Sequence, residues 1–271
     1  RCPEQNPSLF ASLAMTLPLI LIVCLLGSLA SVFAAAGYLL LPPHVQQRTI
    51  KGLVSFATGM LLGTAFLHLI PHAIEHRGEA GIEGLMFALL GAICAFFLLE
   101  KGLIWRHHHC HGHTAHGRGA DEHGHHGALI LVGDSVHNFV DGVLISAAFV
   151  TDVRLGIVTA VAAIAHEIPQ ELGDFAILLN SGVSRARAFT LNALTALTTL
   201  VGAALAYFAM RQTAFLLPYF LAFAAASFIY IAVADLMPTL NRRTGRGEAV
   251  SQMSLMATGI ALTVILAGLQ D

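Results

Sequence analysis

The chain reads as an all-α integral membrane protein, and three observations carry that reading. Of its 271 residues, 56% are hydrophobic and 11% are charged, against roughly 25% charged in an ordinary soluble domain. The apolar residues gather into stretches of about 20 or more, enough to cross about 30 Å of hydrocarbon. The few charges fall into loop cations and helix-interior acids, and each set has its own pattern.

Eight segments meet the length requirement, at 16–41, 50–71, 82–105, 128–150, 155–181, 186–210, 215–240 and 252–269, in one transmembrane domain over residues 1–271. The first is too long, and too lacking in a cleavage pattern after a basic start, for a signal peptide; Arg1 points to residues that precede it. The second carries Gly59 and Gly63, a GxxxG pair that packs helices closely, inside the subunit or at a homodimer contact. The third leads into a histidine-rich loop over 106–127. Thr151 to Arg154 alone join the fourth and fifth segments, which predicts an antiparallel hairpin. Of the cysteines, Cys24 and Cys94 lie mid-helix as small core residues, Cys2 stands alone and Cys110 sits among histidines, so no disulfide framework is inferred.

Cations set the orientation. The loops after the first, third, fifth and seventh segments hold Arg48 and Lys51; Lys101, Arg106 and Arg118; Arg185 and Arg187; Arg242, Arg243 and Arg246. The alternate loops hold Arg77, Arg154 and Arg211. The positive-inside rule then puts the odd loops in the cytoplasm and both termini outside. Short loops without a large ectodomain suit a prokaryotic plasma membrane. The net charge of −2 suggests no nucleic-acid partner.

Six acids fall within predicted helices away from their ends: Asp134, Asp141, Glu167, Glu171, Asp174 and Asp235. Each would cost about 2.5–3.5 kcal/mol facing lipid near the midplane, so they face protein, water or cations. At 100° per residue, Asp134, His137, Asn138 and Asp141 fall within an arc of about 100°, and His166, Glu167, Gln170, Glu171 and Asp174 within about 140°. Measured from the hairpin turn, His137 and His166 lie about 20 and 17 Å deep and can face each other. His68 and His72 fall at the outer end of the second segment, Asp134 and Asp174 a turn below the centre, and Asp235 near the cytoplasmic end of the seventh. Ligand-type side chains thus trace a route. Asn138 alone also fits an interhelical hydrogen bond, Asp134 and Asp174 also fit an outer shell that supports the site, and His68 also fits a helix end.

Imidazole with carboxylate and amide suits zinc, iron, cobalt, nickel or manganese rather than calcium or magnesium. The donors outnumber those one tetrahedral ion needs, so two ions share carboxylates or one is handed between alternatives. The stretch AHEIPQELGDF, 165–175, begins like the HExxH of a zinc protease, but Gln170 stands where the second histidine belongs, and Pro169 predicts a broken helix. Nine histidines over 107–126 make a flexible metal-binding tract.

Four stretches, AFLHLIPHA at 65–73, HNFVDG at 137–142, HEIPQELGDFAILLNSG at 166–182 and SFIYIAVADLMP at 227–238, resemble the ZIP (Zrt-, Irt-like) family of metal-ion transporters in order and spacing across the whole chain. The resemblance implies eight helices in a 3+2+3 arrangement, a binuclear site between the fourth and fifth, and movement of zinc or of iron, cadmium, manganese or cobalt toward the cytosol by elevator-like alternating access. It implies His137, Asn138, Asp141, His166, Glu167 and Gln170 as ligands, with Glu171 and Asp174 next in line. No resident cofactor is expected. Gln170 departs from the HEIPHE of the nearest branch, and His72 holds a position often acidic. An intramembrane metalloprotease lacks its second histidine here, and a cation-diffusion exporter calls for six helices rather than eight.

Overall fold

The computed structural model describes residues 7–78, 81–109, 121–240 and 245–268, with side chains described except at 7–15, 47–48, 100, 103–109, 121–130, 180, 211–212 and 214. Those residues are helical almost throughout. In chain order they form α1 (Pro7–Tyr38), α2 (Pro43–Thr64), α3 (Ile70–Arg77), α4 (Ile82–His109), α5 (Asp121–Thr151), α6 (Val153–Asn180), α7 (Arg185–Ala196), α8 (Thr198–Gln212), α9 (Leu217–Tyr230), α10 (Met237–Leu240) and α11 (Arg246–Gly268). π-helical turns, Ala65–Leu69 and Ile231–Leu236, join α2 to α3 and α9 to α10.

Among the described residues, six stretches are long and apolar enough to cross a membrane: Thr16–Tyr38, Pro43–Arg77, Ile82–Leu99, Arg185–Met210, Leu217–Leu240 and Arg246–Gly268. The remaining two, α5 and α6, have 31 and 28 residues and carry five of the six interior acids, all but Asp235. The chain is therefore an integral membrane protein with six to eight membrane-capable helices.

Helices outrun the predicted segments at several ends, because hydropathy marks the apolar centre whereas backbone hydrogen bonding continues into polar turns. α5 begins at Asp121 and α4 runs to His109, so the backbone of 107–109 and 121–126 in the histidine tract is helical rather than loop. Residues 110–120 of that tract lie outside the described residues, as does Cys2.

The predicted break at Pro169 is corrected: α6 runs through it without interruption. Irregularity appears instead ahead of Pro71 and Pro238. There the backbone N–H of Ile70 reaches Ala65 O and that of Met237 reaches Ala232 O, five residues back. A proline cannot donate to the carbonyl four residues behind it, and a π turn is one way a helix takes up the mismatch.

Two bundles result. α1, α5, α6, α7 and α8 pack on one another, while α2 packs on α11, and α9 on α3 and α4; α2 meets α6 and α5 meets α9 where the bundles touch. Close crossings hold each bundle. A Cβ on Gly142 would lie 1.9 Å from Thr199 O, and one on Gly202 2.0 Å from Phe139 O, so α5 and α8 touch backbone to backbone. In the second bundle a Cβ on Gly59 would lie 2.1 Å from Met256 O of α11. The GxxxG pair therefore packs inside the subunit and lends nothing to a homodimer.

Candidate metal centre

The hairpin of α5 and α6 fixes the site. Its turn is a single residue, Asp152, whose carboxylate accepts from the backbone N–H groups of Arg154 at 2.8 Å and Leu155 at 3.2 Å, capping α6. With so short a link the two helices run antiparallel from a fixed origin, and residues at similar distances from the turn come abreast. His137, Asp141 and His166 do so, each offering a donor atom within 4.8 Å of the others.

Their geometry suits one small ion. His137 Nε2 stands 3.0 Å from His166 Nε2, His166 Nε2 3.2 Å from Asp141 Oδ2, and His137 Nε2 3.8 Å from Asp141 Oδ2. A tetrahedral zinc with bonds of about 2.0–2.1 Å holds its ligand atoms roughly 3.3 Å apart, and the three separations bracket that figure. His166 Nδ1 lies 3.1 Å from the carbonyl of Ala162. A carbonyl only accepts, so Nδ1 carries the proton and the lone pair of Nε2 faces the cluster, as a metal ligand requires. Asp141 is fully buried with neither oxygen in a hydrogen bond, a costly state unless a cation joins it. Phe228 of α9 closes one side, its ring centroid 5.9 Å from that of His166 and tilted 66°.

The other predicted residues divide into groups. Asn138 donates from Nδ2 to Asp134 Oδ1 at 2.9 Å and to the Asp134 backbone oxygen at 3.1 Å, and accepts from Thr199 Oγ1 at 3.2 Å, so its amide nitrogen bonds its own helix and its oxygen bonds α8. Glu167 accepts at Oε2 from Ser31 Oγ of α1 at 2.7 Å. Gln170 donates to Asp134 Oδ1 over 3.4 Å. Glu171 and Asp174 continue the same helix toward its end, each with one buried oxygen lacking a hydrogen bond.

His68 and His72 do not join the cluster. His68 sits in the first π turn with Nε2 buried and without a hydrogen bond, and His72 Nδ1 donates to the backbone carbonyl of His68 at 2.8 Å. Asp235, in the second π turn, lines a cavity of about 490 Å³ with Lys51, Val54, Leu236 and Thr239, whose far wall is His166, Pro169 and Gln170. That cavity lies between the bundles and reaches the centre at His166. A small void lined by Cys24, Ser28 and Glu167 among others lies among α1, α5 and α6.

Sequence reasoning missed Ser31 and Thr199, which bond the predicted ligands Glu167 and Asn138 from α1 and α8, and Ser28, which bonds Thr199. The only signal was hydroxyls at helical spacing, and these usually bond their own backbone.

The family described as ZIP Zinc transporter matches residues 8–128 and 104–267. Over 95% of its length the chain is 31% identical to zinc transporter ZIP13 of Pongo abelii, of which it spans 76%. It is 30% identical to zinc transporter SLC39A7 of Rattus norvegicus over 80% of the chain and 65% of that protein, and 30% identical to zinc transporter ZIP4 of Homo sapiens over 80% of the chain and 44% of that protein. These relatives are animal proteins and lend no support to a prokaryotic membrane. With both halves of its length matched by one family description, the chain belongs to the ZIP zinc transporter family, whose members are transporters and not enzymes.

Proposed function

We propose that this chain carries divalent transition-metal ions, zinc first, across the bilayer into the cytoplasm by alternating access. One observation carries the reading: two imidazole nitrogens and a buried carboxylate without hydrogen bonds converge within 4.8 Å of one another, and one of the imidazoles, His166, lines a cavity between the bundles. Three protein donors leave a fourth position for water or for the next ligand, so the ion is held without being trapped. The names of the relatives, all zinc transporters, support zinc as the cargo.

The route follows from the cavity. An ion at His137, Asp141 and His166 leaves past Gln170 toward Asp235, with Glu167, Glu171, Asp134 and Asp174 supplying negative charge along α5 and α6. Lys51 stands at the mouth, and the positive-inside rule makes that end cytoplasmic with both termini outside. Eight spans in a 3+2+3 order fit this path. The bundle holding the ion slides against the other, so that His68 and His72 meet the ion on the outer side. Asn138, Glu167 and Gln170 are the ligands of a second ion.

Zinc uptake into proteoliposomes tests the proposal. Uptake by the wild type that falls to the empty-vesicle background in His166→Ala supports it; equal uptake by both overturns it. Peptide cleavage without uptake would favour a metalloprotease, which has no second histidine at Gln170, and net efflux alone would favour an exporter.

A further inference from the structure

We infer that Lys51 of α2 and Glu248 of α11 form a charge filter on the ion's way through the cavity beside His166, in which Glu248 is a positioning residue that cancels the charge of Lys51. The inference rests on the transport reading of the centre and concerns how fast an ion passes once released. His166 and Gln170 of α6 form one wall of that cavity, Lys51 and Val54 of α2 another, and Asp235 of the second π turn stands across from them. Among the described lining residues Asp235 is the only carboxylate and Lys51 the only lysine or arginine. An ion leaving His166 is drawn by the first and repelled by the second, and a divalent ion feels each twice as strongly as a monovalent one does. Lys51 Nζ is held by Glu248 Oε1, which reaches it from the first turn of α11.

The pair is not what joins its two helices. Its side chains are 37% and 40% exposed, and ion pairs so open to solvent add little to stability. Glycines set the crossing of α2 and α11 instead. A Cβ on Gly59 would lie 2.1 Å from Met256 O, one on Gly259 2.4 Å from Phe56 O, and one on Gly52, beside Lys51, 3.1 Å from Leu255 Cδ1. Lys51 therefore stays at the cavity wall whether or not Glu248 is charged, and what Glu248 changes is the field. While both charges are present their fields oppose each other, and an ion in the cavity responds chiefly to Asp235. Neutralising Glu248 leaves a bare ammonium on the path of a cation, whereas neutralising Lys51 leaves a bare carboxylate near it. The two changes act on passage with opposite signs, and making both together restores the balance.

Initial rates of uptake by the full chain in proteoliposomes, at saturating zinc and low salt, test this. Glu248→Gln is expected to slow uptake about 3–10-fold and Lys51→Met to speed it by a similar factor, the size of one unit charge acting on a divalent ion about 6–10 Å away in water. Glu248→Asp, which keeps the charge, and the double variant Lys51→Met/Glu248→Gln are expected to keep the wild-type rate. Both single effects should shrink toward the wild type as salt rises from about 0.01 M to about 1 M, where the screening length falls to about 3 Å. A merely structural pair would slow both single variants and show no recovery in the double. If Lys51→Met does not fold, the contrast of Glu248→Gln with Glu248→Asp and its loss at high salt decide. Equal rates in all variants, or slowing by both single changes, would overturn this inference alone, whereas a wild type that passes no zinc would overturn the transport reading with it.

Discussion

The two bundles bury hydroxyls in opposite ways. In the bundle of α2, α4, α9 and α11, Ser55 and Thr58 donate to the carbonyls of Lys51 and Val54 four residues back, and Thr263 to Ile260. Each is satisfied within its own helix, and the surrounding core is Met60, Leu61, Leu69, Leu85 and Phe228. In the bundle of α1, α5, α6, α7 and α8, Ser28, Ser31 and Thr199 instead bond across helices, and buried Asp141, Glu171 and Asn192 keep oxygens without hydrogen bonds. The first arrangement leaves each of these three hydroxyls paired within its own helix, whatever the neighbouring helices do. The second is stable only while its helices keep register and a cation offsets its acids. The three clustered donors therefore lie in one bundle, and the cavity beside His166 takes its other wall from α2, the second π turn and α10.

That contrast can be broken most directly at Asp141. Asp141→Asn keeps the shape and removes the charge, and zinc affinity is expected to fall by at least about 100-fold with uptake at background; retained binding in a zinc titration would show that the carboxylate does not hold the ion. Gly142→Ala and Gly59→Ala sharpen the comparison. Each places a methyl against a backbone oxygen, at 1.9 Å from Thr199 O and 2.1 Å from Met256 O, and each is expected to cost about 1–3 kcal/mol or more of stability by thermal unfolding in detergent. Only Gly142→Ala should also weaken zinc binding by the folded protein, because it displaces the neighbouring Asp141. Gln170→His adds an imidazole one turn from His166, and zinc affinity is expected to rise about tenfold while kcat for uptake falls, a split that flux measurements read. The smallest effect is expected at Thr58→Val, within about 0.5 kcal/mol, against about 0.6–1.7 kcal/mol for Thr199→Val, whose bond crosses helices.

Much of the centre was legible beforehand for a geometric reason. His137 and Asp141 are four residues apart on one helix and Asp152 alone turns the hairpin, so period and depth bring His166 abreast of them. The same arithmetic could not separate Asn138 and Glu167 from the nest, because an arc of 100° or more contains side chains that face different neighbours. Pro169 misled for a related reason: a proline reports a missing donor, but whether the helix breaks depends on what packs around it, and the breaks came ahead of Pro71 and Pro238 instead.

Composition and period by themselves determined the membrane class, the apolar centres of the helices, and the polar faces of α5 and α6, since each depends on the order of residues along one helix. Which helices those faces meet was decided by tertiary structure. The close backbone crossing at Gly142 and Gly202 brings α8 and its Thr199 to Asn138, the packing of α1 brings Ser31 to Glu167, and the gap between bundles leaves the cavity beside His166. Contacts between segments far apart in the chain depend on shape complementarity between whole surfaces, which no single stretch of residues encodes.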